Sequence, residues 1–315
     1  LLPQGKIMGW MQGNYAGFPL FYHYFPLPFL IMSFFSNFIP LEIAFKLVTI
    51  LGTLLLPFCI YFAFRALKYE FPVPIFAALL SLPFLFNQGN SMWGGNIPSM
   101  LAGEFCYSLG FALVFLLLGS LYRGVKEQKY LILNALLIFL IGISHAYTMI
   151  FSLLIGSYFL LSDFRKNYKY LFLAYSLGFL LLAFWLLPVL ANSPYTTTFV
   201  FRWTINSLLE VFPLSLIPFM LLSLAAIIIR LKDERTAYFV YLIVACVFIY
   251  LIGPRIGVLD IRFVPFFQFM LTVFGAAGFL AVKNKLKSVY LLPLIIFLLV
   301  IIWVALNATF IRSCI

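Results

Sequence analysis

Nine carboxylates and two histidines make up the acid–base inventory of this chain. A few of them keep company that could do chemistry. Glu104 ends the run Trp93-Gly94-Gly95-Asn96-Ile97-Pro98-Ser99-Met100-Leu101-Ala102-Gly103-Glu104, where a glycine-rich loop leads into a helix. Ala102 and Gly103 leave room for another backbone or a substrate to approach. A helix starting near Ser99 puts Glu104 about one turn inside, where the helix dipole favours a carboxylate. Such an acid suits a divalent metal ion, Mg²⁺ or Mn²⁺, or orients a substrate. The alternative is an ion pair with an arginine from another helix. His145 sits in Ser144-His145-Ala146-Tyr147-Thr148 and could bind phosphate, ligate a metal or carry a proton; a hydrogen-bonded turn histidine is the plainer account. Arg255, Asp260 and Arg262 crowd residues 253–263. Two guanidinium forks there suit a lipid phosphate or pyrophosphate, against an ordinary Asp260–Arg262 surface pair worth under about 1 kcal/mol. Arg202 and Trp203 lie near the end of the loop 192–205, with Tyr195 and the three threonines Thr196-Thr197-Thr198 that follow it. That mixture suits a sugar or, equally, a membrane-interface belt. His23, among Tyr22, Tyr24 and Phe25, is a weaker candidate of the same kind. Glu42 and Glu210 begin helices, where a favourable dipole interaction is explanation enough.

The elements that must position these groups are membrane helices. The chain is 65% hydrophobic, 20% aromatic and only 9% charged, whereas a soluble domain carries about 25% charged residues. In water such a chain would expose apolar patches on every side; in a bilayer that composition is ordinary. The net charge of +11 does not point to nucleic acid, because the basic residues form short clusters between apolar runs and not a stripe on a soluble module. Cys59, Cys106 and Cys246 fall inside apolar segments, and with Cys314 they show no metal-ligand spacing. Phosphate-binding glycine loops, zinc-protease motifs and a serine nucleophile elbow are missing.

Ten segments are apolar and long enough, or nearly so, for a crossing that needs about 20 residues. They run 42–65, 72–87, 99–122, 130–145, 147–162, 169–191, 206–230, 235–252, 264–282 and 288–307. Basic clusters follow every second one: Arg65 and Lys68; Arg123, Lys126 and Lys129; Arg165, Lys166 and Lys169; Arg230, Lys232 and Arg235; Lys283, Lys285 and Lys287. These hold 14 of the 20 basic residues, which makes their loops cytoplasmic under the positive-inside rule. The expected protein is therefore an all-α, polytopic bundle of about ten spans in the cytoplasmic membrane, with membrane lipids as its solvent and its candidate site groups on the outer side. The same parity leaves residues 1–41 outside. There the apolar stretch 18–35 is interrupted by Pro19, Pro26 and Pro28, each unfavourable in a helix interior by about 3 kcal/mol. A juxtamembrane segment fits this better than an eleventh, kinked span. The division is an outer loop over 1–41 and a helical bundle over 42–315. The start at Leu1, with no Met and no signal pattern, reads as that of a fragment.

Three stretches carry a family resemblance. They are Gly17-Phe18-Pro19-Leu20-Phe21-Tyr22-His23-Tyr24-Phe25-Pro26-Leu27-Pro28, then Trp93-Gly94-Gly95-Asn96 with Ala102-Gly103-Glu104-Phe105, then Ser144-His145. Together they resemble the membrane proteins labelled 6-pyruvoyl-tetrahydropterin synthase-related, over roughly residues 9–190. Nothing here resembles a soluble zinc-dependent pterin enzyme. More broadly the layout is similar to the GT-C glycosyltransferases, which have a first span, an outer loop with juxtamembrane helices, and a bundle of further spans. That resemblance implies transfer of a sugar from a polyprenyl-phosphate donor at the outer face, using an acid in the first outer loop. The first span would then lie upstream of Leu1, and the expected acid with it, because no Asp or Glu precedes Glu42.

On this reading an upstream acid deprotonates the acceptor hydroxyl. Glu104 helps hold a divalent cation or orient the acceptor, while Arg255 and Arg262 stabilise the departing lipid phosphate, and His145 is the second catalytic candidate. Asp260, Arg202 and His23 complete the expected substrate contacts. A non-catalytic transporter or flippase of a lipid-linked glycan could use the same basic mouth, and an inactive scaffold subunit is the third reading.

Overall fold

The computed structural model describes residues 5–13, 15–196, 202–279 and 292–307. Most of these residues are helical, with one small antiparallel hairpin, Gly9–Met11 (β1) on Phe18–Leu20 (β2). The helices are α1 (Leu27–Phe35), α2 (Leu41–Ala66), α3 (Val73–Leu85), α4 (Ile97–Ser99), α5 (Phe105–Glu127), α6 (Leu131–Gly142), α7 (Ala146–Ser162), α8 (Phe164–Ala191), α9 (Leu208–Val211), α10 (Ile217–Ile229), α11 (Glu234–Ile252), α12 (Val264–Val273) and α13 (Leu292–Asn307). In a bilayer every backbone polar group must be satisfied within the protein, and helices do this segment by segment.

Among the described residues five stretches are long and apolar enough to cross a membrane: Leu41–Ala66, Ile97–Glu127, Phe164–Ala191, Glu234–Ile256 and Asp260–Phe279. The expected spans at 72–87, 130–145, 147–162 and 206–230 are instead the shorter apolar helices Val73–Leu85, Leu131–Gly142, Ala146–Ser162 and Ile217–Ile229. The fourth departs furthest from expectation. Residues 206–230 are not one helix: the four-residue α9 ends at Phe212, and Pro213, which lacks an amide hydrogen, precedes the restart at Ile217. The segment 18–35 is likewise divided into a strand, a turn and the nine-residue α1. At 1.5 Å per residue α1 is about 14 Å long, well short of the hydrocarbon thickness. The ends of the last two expected spans, near 282 and 288, lie outside the described residues, as do Lys283, Lys285, Lys287, Arg312 and Cys314.

The tightest contact is between α2 and α5. A Cβ on Gly52 would overlap the backbone at Ser108, and one on Gly119 would overlap that at Ala63. Two glycines thus let the helices meet backbone to backbone, which matters where lipid supplies no hydrophobic drive for association. Around this pair α3, α7 and α12 pack with rings: Phe151 lies flat on Phe266 with centroids 4.2 Å apart, and Phe115 meets Phe269 at 4.6 Å.

The described basic clusters gather on one face. Lys68 pairs with Glu127 at 3.0 Å, Lys126 pairs with Glu234, and Arg235 donates to the Lys68 carbonyl. Tyr170, near the start of α8, donates to the carbonyl of Lys129. The start of α5 lies about 34 Å away, at 1.5 Å per residue, and the candidate site is built there.

Candidate functional site

The polypeptide reaches Glu104 through an irregular turn. Asn96 caps α4 by accepting from the Ser99 amide at 3.0 Å, and its own amide donates to the carbonyls of Asn87 and Gly89. After one α turn the helix is interrupted by a kink over Met100–Glu104, where Gly103 has a non-helical φ of 107°. Only glycine adopts that conformation readily, and the space a Cβ would occupy at Gly103 is open. Glu104 therefore stands at the N-cap position of α5, not one turn inside a helix that runs on from Ser99. Tyr107 follows it by three residues and shares its side of α5.

The partner of Glu104 comes from 158 residues away. Arg262, in the 3₁₀ turn Asp260–Phe263 that leads into α12, places Nη2 2.6 Å from Glu104 Oε1, with the two side chains only 14% and 16% exposed. Its guanidinium lies 5.8 Å from the Tyr107 ring centroid, and the Tyr107 hydroxyl donates to the Arg262 carbonyl at 2.8 Å. The other two guanidinium nitrogens, Nε and Nη1, are buried and have no hydrogen-bond partner among the described residues. Leaving buried charged donors unpaired is costly, so this fork is suited to an anion.

His145 joins the same aromatic cluster. It caps α7, its Nδ1 accepting from the Tyr147 amide at 3.3 Å. This is the hydrogen-bonded histidine of the plainer account. Its ring lies 5.0 Å from Tyr107 and 4.8 Å from Phe25. Burial first, and the Arg262 charge second, push its pKa down to about 3. A neutral imidazole with Nδ1 accepting carries its proton on Nε2. Tyr24 completes the wall, with its hydroxyl 3.9 Å from Cys106 Sγ, and burial raises its pKa.

The remaining expected residues fall outside this centre. Asp260 does not pair with Arg262: it is 1% exposed, and its Oδ1 accepts from the amides of Ile261 and Trp203. It ties the loop before α9 to the turn before α12. Arg202 and Arg255 are exposed and make no ion pair among the described residues. His23 is exposed in a shallow cleft beside the centre. Of the three threonines near Tyr195, only Thr196 is described. Glu42 and Glu210 occupy first helical turns, as the dipole argument expects. Tyr107 was the residue sequence reading passed over, and its spacing from Glu104 was the available signal.

Glu104 is a poor metal ligand in this arrangement. Its Oε1 is engaged by a cation, and no group of three His, Cys, Asp or Glu side chains that could hold a metal occurs among the described residues. A second positive charge there would face the guanidinium directly.

A family model described as "6-pyruvoyl-tetrahydropterin synthase related domain; membrane protein" matches residues 21–310, a longer stretch toward the C-terminus than the 9–190 of the sequence resemblance. No curated protein and no solved structure matches the chain.

Proposed function

The chain belongs to the 6-pyruvoyl-tetrahydropterin synthase-related domain family of membrane proteins, and from that premise we propose that it is a glycosyltransferase taking a sugar from a polyprenyl-phosphate donor at the outer membrane face. The observation that carries this reading is Arg262. A guanidinium held by one carboxylate through Nη2, with Nε and Nη1 buried and unpaired among the described residues, has donors to spare for the oxygens of a phosphate.

In this mechanism Arg262 grips the donor phosphate and stabilises the charge that grows on it as the sugar C1–O bond breaks. Glu104 holds the fork in place through Oε1, and its Oε2, which takes no hydrogen bond among the described residues, orients the acceptor hydroxyl. The acceptor oxygen forms the new bond to C1, and its proton passes to a carboxylate acting as general base. His145 stays neutral beside the pair and adds no second positive charge. Arg255, on the exposed turn Gly253–Ile256, attracts the anionic headgroup toward the site.

The transporter reading needs a polar path across the bundle. Alongside the site the interior is filled by Phe111, Phe115, Phe151, Phe266 and Phe269, all essentially buried, which counts against it.

The test is transfer of radiolabelled sugar from polyprenyl-phosphate donors in vesicles carrying the protein. Glu104→Gln and Arg262→Lys are each expected to lower transfer about 100-fold, equivalent to about 2.7 kcal/mol of transition-state stabilisation, at unchanged protein level. No transfer from any donor, or full transfer in both variants, would overturn the assignment.

A further inference from the structure

Beside the buried centre lies an open cleft of about 470 Å³, lined by Trp10, Pro19, Tyr22, His23, Asn192 and Tyr195. It is built by two separate parts of the chain. In the hairpin, Trp10 pairs with Pro19 across the strands, so both project from one face of the ribbon. Gly17, at φ of 90°, leaves the space against which the Trp10 indole lies. The opposite wall is the end of α8: Asn192 is tied to Pro188 by a 2.8 Å side-chain bond, and Tyr195 follows in a 3₁₀ turn. Trp185 of α8 donates to the Phe21 carbonyl at 2.9 Å and locks the two walls together.

The lining chemistry is distinctive. Trp10 is 61% exposed and Tyr195 86% exposed, so both rings offer a face to a ligand entering the cleft. No Lys, Arg, Asp or Glu lines the cleft, so it does not suit a phosphate. The grooves along α10, α11 and α12 differ: they expose only apolar atoms, as suits lipid. This cleft combines flat ring faces with the amide of Asn192, the imidazole of His23 and the hydroxyls of Tyr22 and Tyr195. Flat apolar faces with a few convergent polar groups suit a ligand with an apolar face and a hydroxylated rim.

We propose that this cleft binds a neutral pyranose of a saccharide, its C–H face on Trp10 and Tyr195 and its hydroxyls on Asn192, His23 and Tyr22. The loop between the cleft and the buried centre is short. Tyr22 and His23 line the cleft, while Tyr24 and Phe25 touch Cys106 and His145. The inference rests on the glycosyltransferase reading only in assigning this sugar to the acceptor.

The experiment is saturation-transfer NMR on the full chain in lipid nanodiscs, with chitobiose, maltose, lactose and mannobiose as probes. At least one disaccharide is expected to receive saturation on the C–H protons of one ring face. Trp10→Ala and Tyr195→Ala are each expected to weaken its binding at least tenfold. Tyr195 is so exposed that its truncation leaves folding intact, which keeps the test valid if the hairpin variant misfolds. No binding by any of the four, or equal binding in Tyr195→Ala, would overturn the cleft assignment. Binding without sugar transfer would overturn the enzyme reading and leave the cleft standing; transfer without binding would do the reverse.

Discussion

The two ends of α5 hold their carboxylates in opposite ways. At the C-terminal end Glu127 shares Lys68 at 3.0 Å and Arg123 at 3.2 Å, and the Lys68 side chain is 69% exposed. Water and salt compete for every charge there. At the N-terminal end Glu104 holds a single guanidinium that is 14% exposed, among Tyr107 and its neighbours. Pairs of the first kind come apart at small cost. In the second kind, removing one partner strands the other in a low-dielectric setting. Charge is therefore a topological signal at one end of the bundle and a chemical resource at the other.

The largest effect expected from this contrast follows from truncating the buried pair. Arg262→Ala should destabilise the protein by about 3 kcal/mol by leaving Glu104 uncompensated, whereas Lys126→Ala on the basic face should cost under about 1 kcal/mol. Adding Glu104→Gln to Arg262→Ala should restore much of the loss. Unfolding in detergent reads all three, and equal costs at the two faces would erase the distinction.

A second effect sharpens it by pH. The folded-state pKa of His145 lies near 3, below its unfolded value of about 6.5. Stability is complete above pH 6.5 and is lost as pH falls toward 3, with a slope of up to about 1.4 kcal/mol per pH unit. His145→Asn keeps a helix cap and should flatten the melting temperature over that window. An unchanged profile in the variant would mean that other groups carry the acid sensitivity.

The smallest expected effect concerns the turn that presents Glu104. Gly103→Ala meets open space, so its cost is backbone strain alone, about 1 kcal/mol. Sugar transfer should fall more than stability does, because the carboxylate is displaced. A variant with wild-type transfer would show that the Gly103 kink has no part in positioning the acid.

Much of the helical layout was legible in the sequence. Apolar runs marked the helices to within a few residues, since the bilayer penalises any other backbone arrangement. The break inside 206–230 was legible too, at Pro213, but a hydropathy window averages over a single proline. The irregular turn at Met100–Glu104 was not legible beyond the presence of Gly103, because such a kink depends on what packs around it.

The candidate site divides in the same way. The sequence by itself determined which residues could matter: it set Glu104, His145 and Arg262 apart from the basic clusters, because ionisable groups are scarce in such a chain and their positions are constrained by membrane cost. Only the tertiary structure decided their partners. Asp260 and Arg262 are two residues apart and point to separate tasks, whereas Glu104 and Arg262 are 158 residues apart and share a hydrogen bond. Composition and hydropathy are summed along the chain, but an ion pair is a meeting of two helix ends in space, and that meeting is fixed by how the helices pack.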